Sequence, residues 1–227
     1  METSMSLAGG LTRTPGRGWM VVLLARLQTS SIILTSYTFG VFLPFISHDL
    51  HLSPLEAGLL QSAWWVTSAL LALPCSVWFS RVRPVPLVLV SLLLGLPFLV
   101  WQGLARTFLS LFLARLGFVL CHLISTPARP LLLQQWAAPP QYALLNAVGL
   151  SLHSLLLAAA ISSSARLITT VGSWRLVYGL QSGFLVVQTL VWWLIAREDH
   201  APVQGLTHAL EAPQPTPLRA LRAYPQG

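Results

Sequence analysis

Between Glu56 and Arg81 about 23 residues pass without a charge, which at the rise of an α-helix is enough to cross the hydrocarbon of a bilayer. Both ends of this run are marked. Ser53 is placed to cap a helix, Pro54 suits its first turn, and Glu56 favours its positive end. Beyond it lies the Arg-containing turn Arg81-Val-Arg83-Pro84. The stretch Asp49 to Pro84 therefore reads as an outer loop, one membrane-crossing helix and a basic inner loop.

The rest of the chain has the same character. Hydrophobic residues make up 55% of the 227 and charged residues only 8%, and the mean hydropathy is +0.70. Such a composition predicts long apolar blocks rather than a soluble core. The formal charge of +7 raises nucleic acid as a partner. The basic residues, however, are all arginine and stand singly between apolar blocks, so no basic face forms and nucleic-acid binding is excluded. Cys75 and Cys121 lie inside apolar spans and imply neither a disulfide nor a metal site.

In chain order, residues 1–18 read as a cytoplasmic leader carrying Arg13 and Arg17. Six spans follow at about 19–45, 55–79, 85–103, 107–130, 144–168 and 176–195. The first is too long for a signal-peptide core and is read as retained, with Pro44 marking its outer end. Pro97 is expected to kink the third. The segment QQWAAPPQYA reads as the loop before the fifth, and Trp192 and Trp193 as an interfacial belt closing the sixth. Arg13, Arg17, Arg81, Arg83, Arg129, Arg197, Arg219 and Arg222 then fall on one side, against Arg106, Arg175 and Arg166 on the other. This asymmetry predicts both termini in the cytoplasm and a plasma or inner membrane location. Residues 198–227 are Pro-rich and polar, too polar for a seventh span.

The run D-L-x-L-S-P-x-x-A-G-L-L-x-S from Asp49, followed by a small, apolar helix and an Arg-containing turn, resembles the second helix and inner loop of major facilitator superfamily transporters. Ser76-Val-Trp-Phe-Ser80-Arg81-Val-Arg83-Pro84 aligns with the inner-loop motif of that family, roughly G-x-x-x-D-R-x-G-R-R, with Arg81 kept and the Gly and Asp replaced. Arg115 is similar to the Arg of the fourth-helix motif R-x-x-x-G, where Val119 replaces the Gly. The acidic residue of the inner loop is often paired in the family with an Arg after helix four, and Ser80 and Gln141-Tyr142 stand at those places here. The segment from Thr216 to Pro225 is similar to the basic lead into helix seven. The resemblance implies an all-α integral membrane fold, six helices in two three-helix repeats, equivalent to the amino-terminal half of a transporter. It also implies a missing second six-helix domain, supplied downstream, by another chain or by a homodimer partner.

Ionisable groups within a span are costly and are the default candidates for a solute path. Arg26, Ser30 and Tyr37 share a face of the first span, and Gln61, Trp65 and Ser68 a face of the second. Arg115, His122 and Arg129 recur every seven residues, within about 40° of one stripe. A snorkelling Arg26, an interfacial Arg129 and a His122 that merely packs are the bland alternatives. In the fifth span Ala143, Ala147, Ser151, Ser154, Ala158, Ser162 and Ala165 form a small-residue stripe suited to helix packing, beside Asn146, Gly149 and His153. No Asp or Glu lies within a span. Enzyme motifs such as H-E-x-x-H and G-x-S-x-G are absent, and no cofactor is implied.

These readings converge on a secondary transporter of a small solute working by alternating access. An uncompensated Arg26 and Arg115 favour an anion, with His122 and His153 able to adjust affinity because an imidazole titrates near ~6.5. The candidate solute residues are Arg26, Ser30, Tyr37, Gln61, Arg115, His122, Asn146 and His153, and the inner-loop residues are Ser80, Arg81 and Arg83. A non-transporting scaffold or a degenerate transporter fragment is the alternative.

Overall fold

A computed structural model describes residues 13–79, 82–197 and 200–202, so Ser80, Arg81 and the stretch from residue 203 onward lie outside the described residues. The helices are α1 (Gly16–Leu50), α2 (Pro54–Phe79), α3 (Pro84–Leu104), α4 (Phe108–Ser125), α5 (Ala128–Trp136), α6 (Tyr142–Val171) and α7 (Trp174–Ile195), with a 3-10 turn at Pro139–Gln141. Among the described residues six segments are long and apolar enough to cross a membrane, α4 and α5 together forming one of them. Their outward faces carry bare leucine and tryptophan, including Leu73 at 75% and Trp78 at 74% exposure. An apolar surface of that extent belongs in lipid, and the chain is a multi-pass membrane protein.

Local chemistry sets several helix ends. Ser53 and Glu56 form a complete capping box at α2: the Ser53 N–H donates to Glu56 Oε2 at 2.8 Å, and the Glu56 N–H to Ser53 Oγ at 3.3 Å. Gly172, at φ 77°, supplies the left-handed residue that ends α6 before Ser173 starts α7. Pro44 does not end the first span. It removes one helix hydrogen bond, yet α1 continues to Leu50 and stops at His51, which adopts the left-handed conformation.

A second departure lies in the fourth span, where Pro127 and Pro130 each lack an N–H. The helix breaks at Thr126, whose N–H bonds Leu123 O three residues back, and resumes as α5. Arg129 thereby leaves the stripe of Arg115 and His122. The segment expected as a loop is folded in at Gln134 to Trp136, which complete α5, and Trp136, Ala137 and Ala138 are fully buried. Thr14 pins this end, its hydroxyl accepting from the Ala138 N–H at 2.9 Å while its own N–H donates to Gln141 Oε1 at 2.9 Å.

The packing has a repeat. α1 packs on α6 and α7, as α4 packs on α2 and α3, and α3 also packs on α7. Exchanging the first, second and third spans for the fourth, fifth and sixth maps this set of contacts onto itself, which is the signature of two three-helix repeats. Close approach depends on small residues and polar bonds, because lipid is as apolar as leucine. Ser91 donates to Cys121 O at 2.8 Å, and one turn on a Cβ at Gly95 would touch Phe118 at 3.7 Å.

Arginines tie the ends. Arg17 donates to the orphan carbonyl of Ile195 at the end of α7 at 3.2 Å. At the opposite end Arg175 bonds both Asp49 and, at 3.1 Å, Ala105 O, joining α1, α3 and α7. This exposed pair contributes at most about 1 kcal/mol. Trp192, expected at the interface beside Trp193, is instead 1% exposed and donates its Nε1–H to Val85 O at 3.2 Å.

Candidate functional site

The candidate residues gather along α1, which is lined by α6 on one side and approached by α2 and, where Arg115 meets Phe39, by α4 on the other. The α1 sequence is rich in hydroxyls for a membrane helix. Thr29, Ser30, Ser31, Thr35, Ser36 and Thr38 each donate to the carbonyl four residues back, the acceptor available where water is absent. Ser31 also accepts from Gln188 Nε2 at 2.8 Å. The run from Thr29 to Thr38 carried this signal in plain view.

The first cluster forms between α1 and α6. The stem of Arg26 lies in the notch at Gly149, where an added Cβ would come within 2.8 Å of Arg26 Cγ, and its Nη2 donates to Asn146 Oδ1. One turn along, Ser30 Oγ and His153 Nδ1 are 2.9 Å apart. Arg129 lines a small cavity with Arg26 and Asn146. Arg26 and Arg129 thus border one recess, walled otherwise by Asn146 and by Val22, Ala25, Leu132 and Leu133.

The second cluster is built around Arg115, which is 2% exposed. Its Nε donates to Leu60 O of α2 at 2.9 Å, its only hydrogen bond among the described residues, and its guanidinium carbon stands 3.6 Å from the centroid of the Phe39 ring. Arg115 borders a cavity of about 60 Å³ together with Ser36, Tyr37, Gln61, Trp64 and Trp65. Tyr37 and Trp65 meet edge to face, with centroids 6.0 Å apart and planes at 89°. Ser36, Phe39 and Trp64 were missed because each also reads as ordinary helix packing.

His122 takes another course. Its ring stacks on Trp64 at 5.4 Å and its Nδ1 is buried without a partner, so it backs the Trp64 wall and does not line the cavity. Arg83 is exposed at the start of α3, and Ser80 and Arg81 lie outside the described residues. The clusters therefore unite Arg26, Ser30, Asn146 and His153 in one place and Tyr37, Gln61 and Arg115 in another, with about 10 Å of α1 between Ser30 and Tyr37 at 1.5 Å per residue.

Charge balance distinguishes these clusters. The only carboxylates among the described residues are Asp49, bonded to Arg175, and Glu56, engaged in the capping box. Neither Arg26 nor Arg115 has a carboxylate partner among the described residues. No group of three metal-ligating side chains occurs among them.

Comparison with known proteins places this arrangement. A solved structure of a bacterial homologue of the human lysosomal transporter Spinster, inward-facing and unoccupied, superposes with a TM-score of 0.63 at 20% identity. It is matched over 84% of this chain and 45% of its own. The chain thus spans less than half the length of that neighbour. No curated protein matches the chain. The family profile described as Major Facilitator Superfamily matches residues 27–225. With six membrane-length segments packed as two three-helix repeats and a family match over most of its length, the chain belongs to the major facilitator superfamily.

Proposed function

We propose that the chain forms the amino-terminal six-helix half of a secondary transporter that moves a small anion by alternating access. The observation that carries the anion reading is the pair of cationic clusters beside α1, Arg26 with Arg129 of α5 and Arg115 of α4 alone, without a described carboxylate to neutralise them. A cation held out of water attracts a diffusible counterion when no fixed one is present.

The second half is a further six-helix domain or a second copy of this chain, and the uncovered face of α6 supports this. Ala143, Ala147, Ser151, Ser154, Ala158, Ser162 and Ala165 are all exposed, covered by no helix among the described residues. Small residues are costly to leave against lipid tails only in the sense that they forgo close packing, which a second domain restores. Both ends of the chain lie in the cytoplasm of a cell bounded by the plasma or inner membrane.

Transport tests the proposal directly. In proteoliposomes containing the full-length protein, small anions are expected to be taken up faster than neutral or cationic solutes of the same size. Transport confined to neutral or cationic solutes would overturn the reading. The orientation has its own test in a background with Cys75 and Cys121 replaced by serine. Arg106→Cys is expected to react with an impermeant maleimide on intact cells and Pro140→Cys only after permeabilisation, both positions being exposed. Labelling of both from one side would require a different number of crossings.

A further inference from the structure

We infer that the cavity beside Arg115 is a subsite for an aromatic carboxylate, an inference that rests on the anion reading and specifies its substrate class. Two unsatisfied polar groups converge there. The guanidinium of Arg115 is held by a single described hydrogen bond, from Nε to Leu60, so its two terminal nitrogens keep the parallel N–H pair that matches a carboxylate. Gln61 Oε1 is buried with no hydrogen-bond partner, one turn before Trp64 and Trp65 on the same wall. Because the two ends of an amide are assigned by their surroundings, this unpaired end can accept from a ligand hydroxyl or donate to its second oxygen.

The walls define the rest of the ligand. Tyr37 and Trp65 are 44% and 55% exposed, yet they hold each other edge to face, leaving ring surface open at the mouth of the cavity. A volume of about 60 Å³ holds a carboxylate but falls well short of the ~150 Å³ of a cavity that takes up a benzene ring. The body of the ligand must therefore lie outside, against Tyr37 and Trp65, where a flat aromatic group gains stacking that an aliphatic chain lacks. Phe39 beneath the guanidinium blocks the opposite approach and leaves this mouth as the way in.

The experiment measures binding of benzoate, 3-hydroxybenzoate, acetate, phosphate and benzylamine to the full-length protein in detergent, by thermal stabilisation and by competition with radiolabelled benzoate. Benzoate is expected to bind at least roughly tenfold more tightly than acetate, and benzylamine not at all. Arg115→Gln should weaken benzoate by roughly tenfold or more, as loss of a charge-assisted bond requires. Trp65→Ala, at an exposed position that does not threaten folding, should bring benzoate down towards acetate, lowering the benzoate-to-acetate ratio. Equal binding of benzoate and acetate, or an unaltered benzoate-to-acetate ratio in Trp65→Ala, overturns the aromatic subsite and leaves anion transport standing. Binding of phosphate alone does the same, whereas binding of benzylamine in preference to every anion overturns both.

Discussion

Replacing Trp192 by alanine is expected to lower stability by about 3–5 kcal/mol, and replacing Trp193 by less than about 0.5 kcal/mol. The two side chains are identical and adjacent, so propensity and composition are controlled. Trp192, on α7, is 1% exposed and donates to Val85 O of α3, whereas Trp193 is 56% exposed on the outer face. Its removal leaves both a cavity and a carbonyl without its side-chain donor, in a core that cannot collapse around a gap of that size. Apparent melting temperatures of the purified protein in one detergent check the contrast. Equal losses would mean that α7 is turned by about 100°, one residue of helix, from the orientation described.

Gly149→Val is expected to reduce anion uptake by roughly tenfold or more while leaving the melting temperature within a few degrees of the parent. The notch at Gly149 is where the stem of Arg26 crosses α6, and even a lone Cβ would stand 2.8 Å from Arg26 Cγ and 3.3 Å from its Nε. A branched side chain expels the stem from the notch, and the guanidinium loses its place against Asn146. Arg26 is flexible and half-buried, so it can swing aside, and the loss falls on position rather than on folding. A double mutant makes the mechanism explicit. If Gly149→Val acts only through Arg26, then combining it with Arg26→Gln gives no less uptake than Arg26→Gln alone, since residues in contact are not additive. Additive losses would assign Gly149 a role independent of Arg26.

The local features of the fold were legible because they depend on neighbours in sequence. Six apolar blocks follow from the length a bilayer demands, the start of α2 from Ser53 and Glu56, and the turn after α6 from a glycine free to adopt φ 77°. The polar faces of the candidate site were legible by the same helical arithmetic: Arg26 and Ser30 share one side of α1, and Asn146, Gly149 and His153 share one side of α6. Which faces meet was not. In a soluble protein the apolar side of a helix points inward, but in a bilayer the outward side is equally apolar, and the pattern that separates inside from outside disappears. Only the tertiary structure decided that Trp192 is buried and Trp193 bare, that the small-residue stripe of α6 is left uncovered, and that Arg26 crosses at Gly149. Periodicity also failed where the helix did. Arg129 lies seven residues beyond His122, yet Pro127 and Pro130 withhold the hydrogen bonds that would have kept the stripe straight, and the resulting turn at Thr126 carries Arg129 across to Arg26.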